Sequence, residues 1–152
     1  MLRTRFQEEV KKAMHARDAV RTGTLRLIIA AMKDRDIAAR AKGNQDGISE
    51  EEILSMLQSM IKQRQESIKM YETGKRADLV AREQEEVAVI QTFLPKQLSE
   101  QEVQAAIETA VRAVGATGIK DMGKVMAELK VHYAGQIDFA SAGGMVKKRL
   151  AG

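Results

Sequence analysis

Cysteine is absent from the 152 residues, which excludes disulfides, thiolate metal sites and cysteine nucleophiles together. That absence fits a reducing compartment. Histidine is scarce too: His15 and His132 stand far apart without metal-ligand spacing, so no metal or other cofactor is expected. Tryptophan is missing, and the aromatics are Phe6, Tyr71, Phe93, Tyr133 and Phe139. The longest apolar run, Leu27 to Met32, falls far short of the roughly 20 residues that span a bilayer. The opening stretch MLRTRFQEEV carries acids and no apolar segment, so it does not read as a signal peptide and a cytoplasmic protein is expected. Glycine and proline are few and the hydrophobic share, 44%, is ordinary, so neither disorder nor a collagen-like chain fits.

What remains is rich in Ala, Glu, Lys, Arg, Leu, Met and Gln, all good helix formers. Sustained apolar–polar alternation is found nowhere, so the expected class is all-α. Two helix starts match each other. Ile48-Ser49-Glu50-Glu51-Glu52-Ile53 offers Ser49 as N-cap, Glu52 as its reciprocal partner, and Ile48 with Ile53 as a hydrophobic staple; Leu98-Ser99-Glu100-Gln101-Glu102-Val103 repeats each part. The first start opens a helix to about Thr73, with Gly74 as its left-handed terminal residue, and a further helix runs from about Arg76 to Gln91. Upstream, Leu2, Phe6, Val10 and Met14 form one helical stripe, and Leu25, Ile28, Ile29 and Met32 a second. Folding the chain back at Gly74 sets Arg64 opposite Glu83, each interrupting an apolar stripe, which suggests a structural ion pair.

Past Pro95 the helices shorten. Val103 to Val114, Met122 to Leu129 and Phe139 to Leu150 each present one apolar face. The expected organisation is a four-helix region over 1–94 and a three-helix domain over 95–152. Net charge is +4, with 17 basic and 15 acidic residues up to Leu94 against 8 and 6 beyond it, so the excess is denser in the shorter part.

Few residue patterns carry chemistry. Gly118-Ile119-Lys120-Asp121-Met122-Gly123-Lys124 meets the first seven positions of a phosphate-binding loop, but the eighth is Val125, where Ser or Thr must hold Mg²⁺. It reads instead as the first turn of a short helix. Ser141-Ala142-Gly143-Gly144 lacks the G-x-S-x-G frame and reads as small residues at a helix contact. Glu50-Glu51-Glu52 and Glu85-Glu86 read as charged helix surface, and no catalytic residue is assigned. The basic residues Lys120, Lys124, Lys147, Lys148 and Arg149 form the candidate anion-binding set, aided by helix N-termini, with phosphate and shape rather than base stacking as the means of contact.

Lys62-Gln63-Arg64 with Ser67, Thr73-Gly74-Lys75-Arg76 with Asp78-Leu79, and Phe93-Leu94-Pro95-Lys96-Gln97-Leu98 resemble the YqeY family across essentially the whole chain. Gly115-Ala116-Thr117 followed by Asp121-Met122-Gly123-Lys124-Val125-Met126 is the most specific part of that resemblance, and Val146-Lys147-Lys148 also fits. The resemblance implies an all-helical fold whose C-terminal part is similar to the tail domain of GatB, a subunit of the glutamine-dependent amidotransferase that corrects misacylated tRNA. It implies a carbon–nitrogen ligase label with glutamine as amide donor. Only the tail is resembled, and neither the amidase subunit nor the activating core of GatB has a counterpart here. The expectation is therefore a non-catalytic module contacting tRNA, or a tRNA-amidotransferase or synthetase complex, through its C-terminal helices. Amide transfer and a helical protein-interaction scaffold are the alternatives.

Overall fold

The computed structural model describes all residues from Met1 to Gly152 and contains helices and no strands. The chain divides into two compact units, Met1–Leu94 and Pro95–Gly152.

The first unit holds α1 (Leu2–His15), α2 (Ala19–Ala41), α3 (Glu50–Thr73) and α4 (Ala77–Gln91). Leu2, Phe6, Leu25, Ile28, Met32, Ile53, Met56, Leu57, Ile90 and Phe93 form its core. Phe6 and Phe93 meet edge to face at 5.1 Å between ring centres, which joins α1 to the segment after α4. Met14 does not continue the α1 stripe; it is 51% exposed, and Ala13 is buried in its place. Residues four apart advance about 40° beyond a full turn, so three such steps carry a side chain off the face where the stripe began.

Both Ser-headed starts form complete capping boxes. Ser49 accepts from the Glu52 amide while Glu52 accepts from the Ser49 amide at 2.7 Å. Ser99 and Glu102 do the same at the head of the second unit's first helix. The end of α3 differs from expectation. Gly74 keeps φ −79°, and the left-handed residue is Lys75 at φ 57°. The helix ends at Thr73 as expected, but the left-handed turn that closes it falls one residue later, so that the Arg76 amide reaches the Tyr71 carbonyl and the Lys75 amide the Glu72 carbonyl.

The register between α3 and α4 is also corrected. Arg64 pairs with Glu86, not Glu83, through Nε to Oε2 at 2.8 Å, with both side chains 14% exposed. Arg64 Nη1 also donates to the Met60 carbonyl. The guanidinium thus lies back over the preceding turn, as helical side chains lean, and meets α4 about one turn beyond Glu83.

A second polar joint ties α1, α2 and the start of α3. Asp36 accepts two hydrogen bonds from Arg3, at 2.8 and 2.6 Å, and one from the Ile48 amide at 2.9 Å. Arg3 also donates to the Ile48 carbonyl. Gly47 enters this joint at φ 85°, where a Cβ would stand 2.6 Å from Asp36 Oδ1.

The second unit holds α5 (Glu100–Val114), a 3-10 turn (Ile119–Asp121), α6 (Met122–Tyr133) and α7 (Phe139–Ala151). Its core is built from Val103, Ala106, Ile107, Ala110, Val111, Val125, Leu129, Ile137, Ala142 and Val146. Gly115, left-handed at φ 65°, closes α5.

Candidate nucleic-acid interface

The interface candidates lie on three elements of the second unit: Lys120 on the 3-10 turn, Lys124 in the first turn of α6, and Lys147, Lys148 and Arg149 on α7. These elements pack together, so the lysines belong to one folded body. All five residues are exposed.

They are not equivalent. Arg149 is engaged with Glu108 of α5 through Nε, and through Nη2 to Oε2 at 3.2 Å. That fork satisfies both carboxylate oxygens and holds Glu108 below its usual carboxylate range. Arg149 therefore joins α7 to α5. Glu108 was not singled out in the sequence, where forty-one residues of separation hide the pairing. Lys124 stands 4.0 Å from Asp121, at the limit of an ion pair, with its side chain 72% exposed. Lys120, Lys147 and Lys148 extend into solvent.

Asp121 explains the phosphate-loop likeness. Its carboxylate is buried and accepts from the Thr117 amide at 2.9 Å, with the Thr117 hydroxyl at 3.4 Å. The Thr117 amide, then the Gly118 amide and the nearby Lys124 and Lys120 charges, hold it below the usual aspartate range against the desolvation that opposes them. The loop before α6 is thus closed around the chain's own anion. At α7, Asp138 caps the helix by accepting from the Ala140 amide, and it also accepts from the Ser141 hydroxyl at 2.9 Å. The α7 N-terminus thus already faces an internal carboxylate, whereas Asp121 turns its carboxylate back to Thr117 and does not cap α6.

The acids of this unit are largely committed. Glu102 completes a cap, Glu108 holds Arg149, Glu128 meets His132, and Asp121 and Asp138 serve their loops. No group of three or more His, Cys, Asp or Glu side chains is placed to hold a metal ion. No helix is long and apolar enough to cross a membrane.

Comparison with known proteins gives relatives in yeasts. The "Altered inheritance of mitochondria protein 41, mitochondrial" of Saccharomyces cerevisiae is 34% identical over 86 residues, covering 57% of this chain and 44% of the relative. The proteins of the same name from Lachancea thermotolerans and Kluyveromyces lactis are 32% and 31% identical, covering 59% and 67% of this chain and 46% and 54% of the relatives. The chain thus spans about half the length of the curated relatives it matches. Their names overturn the expectation of a cytoplasmic protein, because each is described as mitochondrial. The physical reason is plain: lack of cysteine and of a spanning helix does not distinguish one reducing, aqueous compartment from another. The family model described as "Yqey-like protein" matches residues 3–150, nearly the full length, and the chain belongs to that family.

Proposed function

We propose that this YqeY-like protein is a binding module that contacts tRNA, or a complex handling tRNA, through the lysines of its second unit. One observation carries the reading. Lys120, Lys124, Lys147 and Lys148 are exposed on mutually packed elements, while most acids of that unit serve caps, loops and the Glu108–Arg149 pair. Exposed ammonium groups on a folded body favour phosphate contact, and such contact positions a nucleic acid without reading its bases. Similarity of this region to the GatB tail makes tRNA the nucleic acid of choice.

Titrating purified protein with labelled tRNA at several salt concentrations tests the proposal. Affinity should fall linearly on logarithmic axes, with a slope close to one per phosphate contact. Replacing Lys120, Lys124 and Lys147 by Glu should abolish binding with helix content unchanged. Unaltered affinity in that variant removes the lysines from the interface. Glutamate released from glutamine only when misacylated tRNA is present would replace the binding reading with an amide-transfer one.

A further inference from the structure

α2 buries one face and leaves the opposite face bare. Leu25, Ile28 and Met32 point into the first unit's core. On the far side, Val20, Gly23, Leu27, Ala30, Asp34, Ile37 and Ala41 follow one another at alternating steps of three and four, and all are exposed. This is a seam of period 3.5 sustained over the length of the helix, the spacing that keeps one face against a partner helix. Its large members are 44% (Val20), 46% (Leu27) and 62% (Ile37) exposed. Solvated helix faces have no reason to carry them at that period.

Gly23 supplies a second observation. Glycine inside a helix is destabilising relative to alanine. No atom stands within 4 Å of where its Cβ would be, so nothing in the fold requires glycine there. With Ala30, Gly23 gives the seam small residues over which another backbone can pass closely.

Charge decides the occupant. Arg26, Lys33 and Arg40 recur every seven residues along one border of the seam, all exposed. A second copy of the chain fits poorly. Laid parallel, it sets Asp34 against Asp34 within the seam; laid antiparallel, it sets one cationic border against the other. We propose that the outer face of α2 docks an acidic amphipathic helix of another protein, with carboxylates facing Arg26, Lys33 and Arg40 and a cation facing Asp34. The proposal is independent of tRNA binding, since it concerns the other unit.

The probe is a synthetic peptide of about four heptads with Leu at both seam positions, Glu at the flanks and one Lys placed to meet Asp34. Its control has Lys at the flanks and Glu opposite Asp34. Fluorescence anisotropy should show the full-length protein binding the Glu-flanked peptide and ignoring the control. Leu27→Glu and Ile37→Glu should each weaken binding about tenfold or more, because each sets a carboxylate into an apolar contact facing an acidic helix. Replacing Arg26, Lys33 and Arg40 together by Glu should reverse the preference between peptides. Circular dichroism confirms that each variant keeps its helices, and Ala30→Glu substitutes for any that does not. Equal binding of both peptides, or of neither, overturns the proposal. Sedimentation of the wild-type protein as a dimer that Leu27→Glu dissolves overturns it in favour of self-association. Loss of tRNA affinity on reversing the three cations overturns it in favour of RNA.

Discussion

Between Met1 and Leu94 the largest fully buried side chains include Phe6, Leu25, Ile28, Ile53, Met56, Leu57 and Ile90; between Pro95 and Gly152 the largest are Leu129, Ile137, Val125 and Val146. The first unit stacks α2 and α3, of 23 and 24 residues, against shorter partners, whereas α5, α6 and α7 have 15, 12 and 13. Both units have a capping box and an interhelical ion pair, but the pairs differ in burial: Arg64 and Glu86 of the first unit are 14% exposed, whereas Arg149 and Glu108 of the second are 47% and 45% exposed, and the buried polar side chain there is Asp121, at a helix end. Long amphipathic helices can slide by one turn and still bury apolar surface, so a half-buried ion pair fixes their register. Short helices have little to slide, and fixing their ends fixes the structure.

The strongest way to break this comparison is to open each core. Leu129→Ala removes a fully buried side chain at a cost of about 2–5 kcal/mol. A core this small supplies roughly 3–5 kcal/mol in total, so the second unit should lose its protection against hydrogen exchange altogether. Phe6→Ala costs about 3–5 kcal/mol but acts on the larger core, which should stay folded with a lower Tm. Exchange read separately over 1–94 and 95–152 checks both. Loss of protection in both units from either substitution would show one cooperative block.

Helix starts were legible because Ser49 and Ser99 announce themselves locally, with Glu three residues on. Interhelical geometry was not. Arg64 stands out in the sequence as a polar residue within an apolar stripe, but its partner depends on how a long side chain lies along its own helix, which spacing alone does not set. Lys75 was hidden by Gly74, since glycine beside it is the residue usually chosen for a left-handed end. Asp121 read as part of a phosphate-loop pattern because the residues that occupy its carboxylate, Thr117 and its amide, lie outside that pattern. The lysines of the candidate interface were visible as composition. That Arg149 differs from them follows only from α7 lying beside α5.

Smaller changes sharpen the contrast between the two units. Gly47→Ala should destabilise the first unit by about 1–3 kcal/mol, because φ 85° strains the alanine and its Cβ meets the Arg3–Asp36 pair. Thermal unfolding measures it. The same joint sets an acid limit. Hydrogen bonds from Arg3, then the Ile48 amide, lower Asp36 from an ordinary 3.8 to about 2, against the desolvation that opposes them. Its contribution is complete above about pH 4 and is lost as pH falls towards about 2. Asp36→Asn should lower stability at neutral pH and flatten that decline in the first unit alone. Asp121→Asn should do the same in the second unit, below the usual aspartate range, since Asp121 is also depressed. A variant that alters the acid limb of both units would mean that the two units are coupled.

Gly23→Ala is the smallest expected effect, and it runs in the opposite direction. A helix-interior glycine with open space at its Cβ should gain roughly 0.5–1 kcal/mol on replacement by alanine, mostly through lower backbone entropy in the unfolded chain. The first unit should melt a few degrees higher and the second should be unaffected. A gain means that the residue's cost is unrecovered within the isolated protein, leaving the bare seam of α2 as the place where it could be recovered. A loss means that an added methyl meets something, and that the outer face of α2 is already covered in the protein by itself.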